Sequence, residues 1–186
     1  MLVEVRWHGR GGQGAVTAAE IVAHAAIDEG KYAQAFPSFG PERRGAPVVA
    51  FNRFDDKPIL IRSNVYEPDV VVVLDSTLVK TVSVVEGLKP NGVIILNTRR
   101  NPEEALKVYG FSSFKIAVVN ATRIALDVIG VPIVNTPMLG AFTKVTGLVN
   151  LDSILKAVGE RFKGNIGERN MEAVVKAYNM TTIILG

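Results

Sequence analysis

The sequence predicts an α/β fold: a doubly wound, mostly parallel sheet with an antiparallel hairpin excursion and a helical C-terminal third. Three observations carry that expectation. An alternating run at residues 2–7 empties into a glycine loop, His8-Gly9-Arg10-Gly11-Gly12-Gln13-Gly14, and then into an alanine-rich helical stretch. Short apolar runs at 70–74, 93–96 and 115–119 alternate with helical patterns, as strands buried on both faces of a parallel sheet do. Beyond residue 121 the spacing is mainly helical.

Each element has a local reason. The first helix runs over 15–29, its alanines suited to lying close against a sheet, with Gly30 as a C-terminal stop. His24 falls inside this helix and reads as a packed or capping histidine. Residues 31–36 form a second strand, followed by a glycine- and proline-dense loop over 37–47. Runs at 48–54 and 59–63 flank Asp55-Asp56-Lys57-Pro58, which reads as a hairpin turn. Asp75-Ser76-Thr77 then caps a helix over 78–88, and a short helix over 102–109 separates two further strands. Residues 121–129 are helical, and Thr136-Pro137 gives a cap with proline at the first position of a helix over 138–146. Helices over 151–162 and 166–177 follow, and the last ten residues form an extended tail or a docking strand.

Composition narrows the function classes. At 186 residues the chain is long enough for one α/β domain and too short for two ordinary ones, so a single domain over 1–186 is expected. Hydrophobic residues make up 48% and charged residues 21%, which excludes a disordered or fibrous chain. No apolar stretch reaches the length of a membrane span, and no basic-then-apolar secretory signal opens the sequence, so no membrane partner and a cytoplasmic location are expected. The net charge of +3 is mildly basic. Arg99-Arg100 and Arg43-Arg44 are not interleaved with aromatics, so no nucleic acid partner is expected, and Arg99-Arg100 read as scattered solvated charge. With no cysteine and only two histidines, the chain can ligate no cysteine-bound iron–sulfur cluster and is poorly furnished for zinc.

The glycine loop is the strongest motif. Gly9, Gly11 and Gly14 fit G-x-G-x-x-G, a phosphate-binding turn whose following helix N-terminus attracts an anion. A nicotinamide or flavin dinucleotide also needs an acid at the end of the second strand. Ala35-Phe36-Pro37-Ser38 holds none, which counts against NAD. Arg43 and Arg44 suit a phosphorylated adenosine, as in NADP or coenzyme A, or else surface ion pairs at a protein interface. His8, Asp75, Asn97 and Asn120 end strands and converge on one crevice, either as ligand contacts or as ordinary caps. There is no serine elbow, no H-E-x-x-H and no close pair of acids on one predicted helix face with an obvious partner, so no catalytic residue is assigned.

Three segments together go beyond a generic nucleotide fold: residues 6–14, residues 36–53 around Phe39-Gly40-Pro41-Glu42-Arg43-Arg44-Gly45-Ala46-Pro47, and Asn135-Thr136-Pro137-Met138-Leu139-Gly140-Ala141. The chain thereby resembles the gamma subunit of 2-oxoacid:ferredoxin oxidoreductases, the pyruvate enzymes most closely. The resemblance implies a part in coenzyme A-dependent oxidative decarboxylation of a 2-oxoacid to an acyl-CoA, with reduction of ferredoxin, in a heterotetramer with alpha, beta and delta subunits. It further implies thiamine diphosphate on alpha and beta, iron–sulfur clusters on beta and delta, and neither on gamma. Carried onto this chain, it makes Gly9, Gly11, Gly12, Gln13 and Gly14 the phosphate cradle for coenzyme A, with Arg43 and Arg44 as auxiliary contacts. Two other readings stand beside it: a free-standing NADP- or flavin-binding oxidoreductase, and a purely structural subunit whose glycine loop braces an interface.

Overall fold

A computed structural model of the chain describes residues 1–38 and 45–184. The described residues form a seven-stranded sheet in the order β2-β3-β1-β4-β5-β6-β7. Its parallel centre is β1 (Val3–Arg10), β4 (Val70–Val73), β5 (Val93–Asn97) and β6 (Lys115–Val119). On one flank β3 (Pro47–Asp55) pairs antiparallel with both β1 and β2 (Tyr32–Pro37). On the other, β7 (Thr182–Ile184) pairs antiparallel with β6, so the tail is a docking strand.

The sheet separates two cores because alternate side chains of each strand face opposite ways. Val5, Trp7, Val72, Ile95 and Ala117 face α1 (Ala15–Asp28), α3 (Ala121–Val128), α4 (Asn135–Thr146), α5 (Leu151–Arg161) and α6 (Gly164–Met180). Val71, Val73, Ile94, Leu96 and Ile116 face the other layer, made by residues 76–88 and α2 (Pro102–Tyr109). The all-apolar β4 follows from this double coverage.

Close packing explains the small residues. Ala15, Ala18, Ala19 and Ala25 of α1 are buried against the sheet. Beneath them Trp7, fully buried, donates Nε1–H to Asn52 Oδ1 at 2.8 Å, and Asn52 Nδ2 donates to the Ala19 carbonyl at 2.9 Å. This chain of bonds ties β1, β3 and α1 together and leaves no polar atom of the pair wasted. Helix α4 is buried from Asn135 to Thr143 and crosses α6 at Gly140, where a Cβ would fall 2.1 Å from the Val174 carbonyl oxygen.

Three sequence expectations need correction. The hairpin excursion is formed by β2 and β3, whereas residues 59–63 form no strand. They are instead held by side chains: Arg53 donates to the carbonyls of Ser63 and Asn64, and Gln34 to that of Ile59. The helix expected over 78–88 shrinks to a 3-10 turn, Ser76–Lys80. The β-branched Thr81, Val82, Val84 and Val85 favour extended backbone. At Gly87 φ is +69°, and a Cβ would lie 2.0 Å from the Tyr66 carbonyl, so a right-handed helix cannot pass through. Helix α4 begins three residues before the expected 138, with Val134 as its N-cap and Pro137 inside the first turn, where its missing N–H costs nothing.

Candidate functional site

A crevice of about 990 Å³ opens at the carboxyl ends of β1, β4, β5 and β6. The chain runs from β1 towards β3 and β2 on one side and towards β4 on the other. The crevice therefore lies at the topological switch point, where open α/β sheets place ligands. Gln13 lines it after β1, Leu74, Asp75 and Ser76 after β4, and Asn97 to Arg100 around the end of β5. Asn120, Thr122 and Arg123 line it after β6, Glu104 and Tyr109 project from α2, and Leu126, Pro132 and Val134 close the far wall.

The strand-end polar residues anticipated from the sequence meet here, and most serve as clasps. Asp75 is the hub. Its Oδ2 accepts from Arg10 Nε at 3.0 Å and Gln13 Nε2 at 3.2 Å, while Oδ1 accepts the Thr77 N–H at 2.9 Å. Burial opposes ionisation of this carboxyl, but the donors Thr77, Gln13 and Arg10 prevail and hold it below the usual carboxylate range. Asn97 donates to the Leu74 carbonyl at 2.8 Å and to Thr122 Oγ1 at 2.9 Å, joining the end of β4 to the start of α3. Asn120 Oδ1 caps α3 through the Arg123 N–H at 3.1 Å.

His8 does not join them. It is 4% exposed and faces the opposite side of the sheet, accepting a hydrogen bond from Arg6 Nε at 3.0 Å. Burial, reinforced by the Arg6 charge, pushes its pKa down to about 3, so the imidazole is neutral. His24 departs from its expected role as well. It is exposed and pairs with Glu160 of α5 at 3.2 Å, beside Asp28, whose carboxylate holds the Lys156 ammonium at 2.7 Å.

The glycine loop is locked from two sides. Gly11 exchanges backbone bonds with Gly45 and Ala46, which ties the loop to the start of β3. Arg10 N–H donates to Gln13 Oε1 at 2.7 Å, and Arg10 extends its guanidinium to Asp75, Gly45 and Thr77. Gly12 has φ +94° and open space where a side chain would stand, so backbone conformation rather than crowding selects glycine there. Gly14, at φ +82°, is the N-cap of α1, and a Cβ on it would lie 2.6 Å from Asn135 Nδ2. At Gly9 a Cβ would press on Ala15 at 3.2 Å, which keeps α1 close to β1. Of the anticipated cradle residues within the described chain, Gln13 is the one lining the crevice. Arg43 and Arg44 lie outside the described residues.

Two features give the crevice its charge: arginines that the sequence left as solvated charge or did not mark, and helix N-termini of which it anticipated only that of α1. Arg99, Arg100 and Arg123 line it, against the carboxylates Asp75 and Glu104; Asp75 is already paired with Arg10, and Arg123 Nε with Asp127 at 2.9 Å. Helices α1, α3 and α4 also start at its wall, at Gly14 beside Gln13, at Asn120 and at Val134. Each N-terminus contributes a partial positive charge of about half a unit. Arg99-Arg100 could have been found from position alone, since they directly follow Asn97-Thr98 at a strand's carboxyl end. Arg123 stands three residues beyond the strand-end residue Asn120.

These features define an α/β domain built around an electropositive crevice at the switch point of its sheet. Residues 4–180 match the family model for pyruvate ferredoxin/flavodoxin oxidoreductase, and the chain belongs to that family, in its gamma-subunit group. It is 56% identical to the pyruvate/ketoisovalerate oxidoreductases common subunit gamma of Thermococcus kodakarensis, over 98% of both chains. It is 54% identical to the pyruvate synthase subunit PorC of Methanocaldococcus jannaschii, over 96% of both. The crystal structure of the pyruvate oxidoreductase subunit PORC from Thermotoga maritima superimposes with a TM-score of 0.87 at 44% identity, covering 98% of each chain.

Proposed function

We propose that the chain acts, as one domain, as the gamma subunit of a multi-subunit pyruvate or related 2-oxoacid:ferredoxin oxidoreductase, and that its switch-point crevice holds the phosphates of coenzyme A. The observation that carries the coenzyme assignment is the convergence of Arg99, Arg100 and Arg123 with three helix N-termini on one crevice. Coenzyme A presents a pyrophosphate and a ribose 3′-phosphate, a charge that matches this concentration of donors. The volume, about 990 Å³, suits a nucleotide-sized ligand.

The fold also argues against a free-standing dinucleotide enzyme. In such enzymes the second strand lies beside the first and delivers an acid to the ribose. Here β3 is inserted between β1 and β2, and Pro47 pairs with Arg10 where that acid would have to reach. The chain's own chemistry fits a supporting role. It has no thiol, one histidine buried neutral behind the sheet and one exposed beside Glu160 on the surface. Thiamine diphosphate and the iron–sulfur clusters that pass electrons to ferredoxin then belong to alpha, beta and delta partners. This chain binds and orients the coenzyme that accepts the acyl group.

The test is a coenzyme A titration of the assembled enzyme carrying Arg100→Ala or Arg123→Ala. A charge-assisted hydrogen bond to phosphate contributes about 1.5–3 kcal/mol, so loss of one should weaken binding roughly ten- to a hundredfold. Unchanged affinity in both variants would refute the assignment. The composition of the native complex tests the subunit role separately: alpha- and beta-type partners carrying thiamine diphosphate and iron are expected to copurify.

A further inference from the structure

One end of the crevice gathers donor side chains that the fold does not need for its own clasps. Ser76 opens the 3-10 turn after β4, Thr98 and Arg100 follow β5, and Tyr109 is the last residue of α2; all four line the crevice. The Tyr109 hydroxyl stands among the other three. Burial opposes ionisation of this phenol, but Ser76, Thr98 and Arg100 outweigh it and lower its pKa from the ordinary tyrosine value. Its ring packs on the buried Phe111, with centroids 6.0 Å apart, which fixes the hydroxyl's direction. Thr98, 7% exposed, accepts the Arg100 N–H through Oγ1 at 3.2 Å, so its own hydroxyl proton is left to donate. Among the described residues the Arg100 guanidinium enters no ion pair, whereas Arg123 is held by Asp127 and Arg10 by Asp75. The two crevice carboxylates do not fill this role. Asp75, next to Ser76, turns its oxygens to Arg10, Gln13 and Thr77, and Glu104 stands in the first turn of α2, at the other end of that helix from Tyr109.

We infer that Ser76, Thr98, Arg100 and Tyr109 form the seat of a terminal phosphate, a phosphomonoester dianion held by one guanidinium and three hydroxyls. This inference rests on the reading that the ligand is coenzyme A, and it assigns the 3′-phosphate, not the pyrophosphate, to this end of the crevice. A phosphomonoester carries about −1.5 to −2 charge at pH 7 and three free oxygens. Each phosphate of the pyrophosphate has less charge, two free oxygens and a chain on both sides. Donors arriving from three separate elements suit a group that leaves its site through a single oxygen. Hydroxyls also sharpen the choice: each gives a short charge-assisted bond to an anionic oxygen that reaches it, and a poor return when none does. The seat is therefore a specificity device, which tells coenzyme A from the same nucleotide without its 3′-phosphate.

The assembled enzyme is titrated with coenzyme A and with dephospho-coenzyme A, which keeps the pyrophosphate and lacks the 3′-phosphate. Wild type should bind coenzyme A at least about tenfold more tightly than dephospho-coenzyme A. Tyr109→Phe removes one hydroxyl and Arg100→Ala the charge. Each should weaken coenzyme A at least about tenfold and leave dephospho-coenzyme A at its wild-type affinity. Ser76→Ala, away from the aromatic pair, carries the same test if Tyr109→Phe does not assemble. A merely structural role for these side chains would weaken both ligands alike. The inference is overturned if wild type binds the two ligands equally, or if Tyr109→Phe and Arg100→Ala weaken both by the same factor. It is overturned too if Tyr109→Phe and Ser76→Ala bind coenzyme A as wild type does while Arg100→Ala or Arg123→Ala still weakens it. If Arg100→Ala and Arg123→Ala both leave coenzyme A binding unchanged, the coenzyme A reading itself fails and takes this inference with it.

Discussion

Acid should unfold this chain through His8 before its carboxylates titrate. The imidazole is held neutral, with its pKa lowered to about 3 by burial and by Arg6, against 6.5 for an ordinary histidine. In the unfolded chain the ring takes up a proton as pH falls through 6.5, and in the folded chain it does not until about 3. The stability it contributes is therefore complete above pH 6.5 and is lost as pH drops between those two values. The full difference between those two values corresponds to about 5 kcal/mol below pH 3, and at pH 5 the loss is already about 2 kcal/mol. Urea unfolding of the purified chain at pH 7 and pH 5 reads this directly when set against His8→Gln, which can still accept from Arg6 but cannot titrate. Wild type should lose about 2 kcal/mol more than the variant between the two pH values. Equal losses would show that His8 titrates normally in the fold, and the neutral-acceptor account of the Arg6–His8 pair would be refuted.

Two substitutions probe the packing that frames the crevice. Gly140→Ala drives a methyl group to 2.1 Å from the Val174 carbonyl and must separate α4 from α6, so chemical denaturation should show a loss of about 1–3 kcal/mol. A stability within experimental error of wild type would mean that the two helices are not in the contact described. Arg53, 1% exposed, pairs with Glu4 at 2.8 Å and holds the carbonyls of Ser63 and Asn64. Arg53→Ala strands a half-buried carboxylate and frees the 59–64 segment, with an expected cost of about 3–5 kcal/mol and faster proteolysis between β3 and β4. Resistance to proteolysis equal to wild type would contradict the tethering role.

How far the sequence could be read depended on which physical signal governed each element. The buried parallel strands were legible because double coverage leaves a bare apolar run, as at 70–73. The glycine loop and α1 followed from conformational chemistry that is local. Residues 59–63 misled because their strand-like pattern is answered by the side chains of Arg53 and Gln34 rather than by a backbone ladder. Residues 78–88 misled because their apolar spacing suits a helix while Gly87 must follow the Tyr66 carbonyl, a contact made across the fold.

The crevice was legible in position and not in its groups. Asp75, Asn97 and Asn120 stood out as polar strand ends and prove to be clasps, whereas the arginines beside them passed as solvated charge. Their convergence depends on three strands ending at one level, which single-strand patterns do not encode. Asn135 was visible only as part of a family-like segment. Its relation to Gly14 joins residues 121 positions apart in the chain.

The most direct measurement is a structure of the assembled enzyme with coenzyme A bound. The account predicts the coenzyme's phosphates in the crevice beside Gln13, with their charge against Arg99, Arg100 and Arg123. Coenzyme A seated wholly on another subunit, with this crevice filled only by solvent, would contradict it.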